Sequence, residues 1–264
     1  MEFFPGLMVP VDAERWVDRM LAGLEVFEST FGVSLAQAHS GTKSHATTKP
    51  VSDRRKFFAQ RLKTKSRGFS LFTGRGFERT PDGLRNVDYF MYAGRRYAHD
   101  GLFSLILMAP AFSNETAETL LVAIGDAAGV VSAQYSPEAV ARRLRLAHWC
   151  IKVGDHAHRH PLQDRTPAES CLPVLRESTY DGLTPRLPHH FGWLNYWSQE
   201  VCETVGFPER AKGCAWLEHC RATPRGAWLI KLGAHAPPPG DDAFAETLRD
   251  AYDRFPSVGY RLGM

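Results

Sequence analysis

Pro188-His189-His190-Phe191-Gly192-Trp193-Leu194-Asn195-Tyr196-Trp197-Ser198 sets four large aromatic rings within seven residues. Pro185 and Pro188 stiffen the approach, and Gly192 lets the backbone turn. Each such ring buries roughly 150–250 Å² in a folded core, so the run cannot stay in water. Phe191, Trp193 and Trp197 are therefore expected in the interior, where a loop enters a helix over residues 196–205. Trp193, Asn195 and Tyr196 are also candidates for a partner-binding surface, because Trp and Tyr are favoured at binding hot spots. On that reading Trp193 is exposed and Trp197 is buried. No nucleophile stands at a fixed offset from a base, so the stretch announces no reaction.

The chain around it has 264 residues, 44% hydrophobic and 23% charged, enough to bury a large core without metal or disulfide staples. A formal charge of +3 creates no strong global field and does not demand nucleic acid. The five cysteines, Cys150, Cys171, Cys202, Cys214 and Cys220, are odd in number and irregularly spaced, which reads as reduced thiols in a cytosol. Met1-Glu2-Phe3-Phe4-Pro5-Gly6 lacks the basic patch and apolar run of an export signal. The longest apolar stretch, residues 102–112, is too short to span a bilayer. The expected location is the cytoplasm, with no membrane partner.

Upstream of the aromatic run the periodicity is helical first. Trp16, Val17, Met20, Leu21, Leu24 and Phe27 recur at helical steps behind Asp12, predicting a helix over 12–29. Residues 33–38 read as a short strand, and the polar stretch 40–50 reads as a loop. Ser52-Asp53 opens a second helix to about residue 63, with Phe57, Phe58 and Leu62 inward. Its other face carries Arg54, Arg55, Lys56, Arg61 and Lys63, with Lys65 and Arg67 beyond. This is the densest basic segment, either a solvated face or a patch for phosphate or an acidic partner; Arg54 and Arg55 are its candidate partner-binding residues.

Residues 69–73, 86–93 and 102–109 read as strands, with Thr80-Pro81-Asp82-Gly83 as a turn. The short link 94–101 argues that the last two pair antiparallel, the second lying centrally. Ser113 caps a helix over 114–126, and 130–135 reads as a strand. Ser136-Pro137-Glu138 opens another helix to about 149, with Arg142, Arg143 and Arg145 mostly on its outer side. From residue 154 to 188 the pattern fails, so a long irregular loop with short extended pieces is expected there. Beyond the aromatic run come a short helical piece at 209–212, a strand over 227–232 and a final helix from Asp241-Asp242 to Arg254. The mixture points to α+β, a mostly antiparallel central sheet flanked by helices, in one domain spanning 1–264.

Chemical signatures are thin. Asp155-His156-Ala157-His158-Arg159-His160 could offer His156, His158 and His160 to a zinc ion, but the acid precedes the histidines, unlike the metallo-hydrolase box. Cys214, His219 and Cys220 match no common zinc spacing. Thr73-Gly74-Arg75-Gly76-Phe77 lacks the third glycine and the following helix of a dinucleotide loop. The Gly-x-Ser-x-Gly elbow, the Walker A loop and His-Glu-x-x-His do not occur. No catalytic residue, metal ligand or cofactor is assigned.

Four ordered blocks carry a family resemblance: residues 188–198, Val205-Gly206-Phe207-Pro208, Gly226-Ala227-Trp228-Leu229-Ile230, and Ala251-Tyr252-Asp253-Arg254-Phe255-Pro256. Together they resemble the immunity protein 52 family and related myxobacterial proteins, and are similar to type VI secretion immunity proteins. The resemblance implies a non-catalytic antitoxin whose partner is a cognate toxin, for immunity protein 52 a nuclease of restriction-endonuclease fold. Two rivals stand beside it: a metal-dependent hydrolase using His156, His158 and His160, and a nucleic-acid-binding module centred on residues 54–67.

Overall fold

Residues 2–4, 13–40, 47–63, 68–73, 77–80, 83–86, 89–95, 103–109, 113–148, 150–153, 156–159, 165–175, 187–188 and 190–259 are described by the structure, a computed structural model. They form two compact units, Met1–Val130 and Val131–Met264. Both are α+β, built on antiparallel strand pairs with helices.

In the first unit the elements are β1 (Glu2–Phe4), α1 (Ala13–Phe31), β2 (Gln37–Ser40), β3 (Thr47–Pro50), α2 (Arg54–Lys63), β4 (Gly68–Phe72), β5 (Phe77–Thr80), β6 (Gly83–Asn86), β7 (Phe90–Arg95), β8 (Phe103–Met108) and α3 (Asn114–Ala128). The strands run in the order β3-β2-β4-β7-β8-β1, every pair antiparallel, and β5 pairs with β6 as a separate hairpin. Helix α1 buries Trp16, Val17, Met20, Leu24 and Phe27 and packs against α2 and α3. Ser113 caps α3, its Oγ accepting from the Thr116 amide at 3.1 Å, and Gly129 ends it in the left-handed region at φ 56°. The antiparallel pairing of β7 with β8 follows the sequence pattern, and β8 lies between β1 and β7. The polar stretch 40–50 differs from its reading as a loop: its end forms β3, paired with β2 from Ser40↔Thr47 to Gln37↔Pro50.

The second unit comprises β9 (Ser132–Tyr135), α4 (Glu138–His148), β10 (Cys150–Val153), β11 (His156–Arg159), α5 (Pro167–Ser170), β12 (Leu194–Trp197), α6 (Gln199–Val205), 3-10 turns at Glu209–Ala211 and Ala215–His219, β13 (Arg221–Ala222), β14 (Trp228–Lys231) and α7 (Asp242–Arg254). Its sheet runs β9-β12-β14-β13, and β10 pairs with β11 as a hairpin. Two expectations are corrected here. The aromatic run enters a strand, not a helix: Leu194-Asn195-Tyr196-Trp197 pairs with β9 on one side and β14 on the other. The helix starts only at Gln199, where Ser198 Oγ accepts from the Val201 amide at 3.3 Å. With all four side chains buried, the strand has no alternation to betray it.

The stretch 154–188 is likewise not wholly irregular. It supplies β11 and α5, and Leu172 and Leu175 are buried. Helix α5 opens with a capping box: Thr166 Oγ1 accepts from the Glu169 amide at 3.2 Å, and Glu169 Oε2 accepts from the Thr166 amide at 3.0 Å. Among the described residues no helix is long and apolar enough to cross a membrane.

Candidate functional site

Short polar side chains around β12 fix its path. Gly192 N–H donates to Asn195 Oδ1 at 2.8 Å, and Asn195 Nδ2 donates back to Gly192 O at 2.9 Å. The asparagine thus imitates a backbone pairing three residues away. A Cβ on Gly192 would sit 2.8 Å from Tyr135 O, so only glycine allows this approach. Trp193 N–H donates to Ser136 Oγ at 2.8 Å, its Nε1 donates to Gly233 O at 3.2 Å, and its carbonyl accepts from Leu232 N–H at 2.9 Å. The Lys231 ammonium sits 5.6 Å from the Trp193 ring centroid, a cation–π contact.

These bonds decide the role of the aromatic candidates. Trp193 is 0% exposed, Trp197 1%, Asn195 1% and Tyr196 4%. The expected difference between Trp193 and Trp197 is therefore corrected: both are enclosed, and Trp193 is withdrawn as a contact residue. Trp197 packs edge-on against Phe207 and Phe255, and Phe207 stacks on Trp216 and meets Trp228. The physical cause is arithmetic of area, since these rings gain most when they bury one another. Asn195 and Tyr196 lie in the same interior strand.

The loops following β12 are held to α7 by one carboxylate. Asp250 Oδ2 accepts from Trp216 Nε1 at 3.1 Å and from Cys214 Sγ at 3.3 Å. Arg254 Nε donates to Asp250 Oδ1 at 3.0 Å, and its Nη1 donates to Arg210 O at 3.2 Å. Burial opposes ionisation of Asp250, but the bonds from Trp216, Arg254 and Cys214 outweigh it and hold its pKa below the ordinary 3.8. Burial pushes the Cys214 thiol up to about 11, with the Asp250 hydrogen bond and charge adding to it. The same desolvation takes Cys202 to about 12 and Cys220 to about 11. These three thiols stay protonated at neutral pH and are poor nucleophiles.

Arg143 also differs from its reading as an outward residue. Its guanidinium grips Glu169 through Nε to Oε1 and through Nη2 to Oε2 at 2.7 Å, with side-chain exposures of 18% and 4%. Neither partner was singled out as a pair, although Thr166-Pro167-Ala168-Glu169 is a capping-box signature that marks Glu169. His156 and His158 lie in β11, opposite Val153 and Ile151 of β10, while His160 falls outside the described residues. Among the described residues no group of three or more His, Cys, Asp or Glu could hold a metal ion.

The basic helix is where charge meets solvent. Arg54 Nη1 donates to both Glu28 oxygens at 2.6 Å, and Arg55 Nη1 donates to Asp18 Oδ1. Both candidates therefore fasten α2 to α1; Arg55 keeps 59% side-chain exposure and Arg54 27%. Lys65 and Arg67 lie outside the described residues. A different face of α2, carrying Lys56, Phe57 and Arg61, borders an open cleft of about 270 Å³ with Lys49 and Pro50 of β3 on its other wall. The Arg61 guanidinium lies 5.2 Å from the Phe57 ring centroid. Lys49 was missed because the polar stretch around it has no period to place it.

Comparison with known proteins adds three findings. The family model described as "Domain of unknown function (DUF5953)" matches residues 107–263, and the chain belongs to that family. The fold is similar to that of the Pseudomonas aeruginosa T6SS protein PA0821, with a TM-score of 0.52 and 12% sequence identity over 98% of this chain and 72% of that one. Among curated proteins nothing matches this chain.

Proposed function

We propose that this DUF5953 protein is a type VI secretion immunity protein that neutralises a cognate toxin by stoichiometric binding. The observation that carries the reading is the likeness in fold, along nearly the whole chain, to a T6SS protein. The resemblance of the four C-terminal blocks to immunity proteins points the same way, although the matching family model is DUF5953 and not immunity protein 52. The side chains support it too. Asn195, Asp250, Arg143 and Glu169 all serve bonds that hold loops and helices in place, as a rigid binding body requires.

Binding tight enough to silence a toxin uses an interface of about 1,200–2,000 Å² with a few anchor residues. The test is co-expression in a toxin-sensitive bacterium with the toxin encoded beside this gene. Survival that depends on this protein, and a one-to-one complex on size exclusion, are the expected results. Unchanged killing with well-folded protein present refutes the proposal.

A further inference from the structure

The cleft between β3 and α2 has an unbalanced charge. Lys49, Lys56 and Arg61 border it with a single acid, Asp53. That acid already serves the helix, its Oδ1 accepting from the Lys56 amide at 2.8 Å. Neighbouring Arg54 and Arg55 are neutralised by Glu28 and Asp18, but among the described residues neither Lys49 nor Lys56 makes an ion pair. Both lysines are exposed. Buried Ala38 and half-buried Phe57 give the same cleft apolar wall, so it offers cations above an apolar surface. A phosphate would use only the cations.

We propose that this cleft docks an acidic, partly apolar peptide segment of a protein partner, its carboxylates meeting Lys49 and Lys56. The identity of that partner as the toxin rests on the function proposed above; the chemistry of the cleft does not. The attraction is between exposed charges and so weakens with salt, over a screening length of roughly 8 Å at physiological ionic strength. Arg61 is left unaltered in the test because it also stacks on Phe57.

The experiment is fluorescence anisotropy with a fluorescein-labelled peptide of alternating Glu and Leu, with oligothymidylate of matching charge as competitor probe. Lys49→Glu/Lys56→Glu should weaken peptide binding by at least roughly tenfold, because two exposed attractions are lost and each becomes a repulsion on reversal. Unchanged circular dichroism and thermal midpoint show that the variant is folded. Equal affinity in wild type and variant, no binding by wild type at millimolar peptide, or preference for the oligonucleotide each overturns the proposal. The survival assay separates the two ideas. If wild type and the double variant protect equally, the cleft is not the toxin's dock and the immunity reading stands. If wild type fails to protect but binds the peptide through both lysines, the cleft stands and the immunity reading falls.

Discussion

The Tyr252 hydroxyl lies 3.4 Å from His148 Nε2, joining the ends of α7 and α4 inside the second unit. His148 Nδ1 is 2.8 Å from Pro173 O, which can only accept, so Nδ1 carries the proton. In the neutral ring Nε2 then accepts from Tyr252, whose oxygen itself accepts from the Phe191 amide at 3.1 Å. One chain of bonds thus ties two helices to the segment after α5 and to the start of the aromatic run.

Tyr252→Phe leaves the Phe191 amide and His148 Nε2 without this partner in the interior. A buried polar group deprived of its bond costs about 1–3 kcal/mol. The urea midpoint should fall accordingly, with unchanged slope. A variant as stable as wild type would show the chain of bonds to be dispensable.

Asn195→Ala removes both bonds to Gly192, and Gly192→Ala brings a methyl to 2.8 Å from Tyr135 O. Each should destabilise by roughly 2 kcal/mol, the first through unpaired backbone groups and the second through overpacking. The double variant should cost less than the sum of the two, because both act on the same turn. Thermodynamic double-mutant analysis by denaturant titration checks this.

Arg143→Met strands the Glu169 carboxylate, which is 4% exposed. Breaking such a pair costs about 3 kcal/mol, and Arg143→Met/Glu169→Gln should recover part of that. Recovery is the diagnostic result. A double variant worse than Arg143→Met would mean that the glutamate holds α5 through its cap and not through the arginine.

Stability should fall on the alkaline side through the thiols. Cys202, Cys214 and Cys220 hold their protons to about 12, 11 and 11 when folded, above the ordinary 9.0. Their contribution is full below pH 9 and is lost as pH climbs toward 11 and 12. At the acid end Asp250 acts oppositely: its depressed pKa supports the fold above 3.8, and that support is lost as pH falls through the folded value. Denaturation midpoints from pH 3 to 11 report both limbs, and Asp250→Asn should flatten the acid one.

Sequence reading went furthest where period and caps agree. Helix α1 follows its apolar stripe, its expected Asp12 cap lying outside the described residues, and α3 and α7 follow their caps, because those signals are local. The β7–β8 pair is legible for the same reason, its link being short. The Trp193 to Trp197 segment was misread because a strand buried on both faces shows the same unbroken aromatic run as a core helix. The basic helix is legible, but not which of its cations are paired: Arg54 and Arg55 look as free as Lys56 until α1 brings Glu28 and Asp18 to them. Such partners, 26 and 37 residues away, leave no local trace.

β12 hydrogen-bonds along both flanks, to β9 and to β14, beneath a lid of aromatic rings. Transferred to deuterated water, its amide hydrogens at Asn195 and Tyr196 should be the last of the second unit to exchange, keeping pace with global unfolding alone. The residues that look most like bait for a partner are then the molecule's slowest clock.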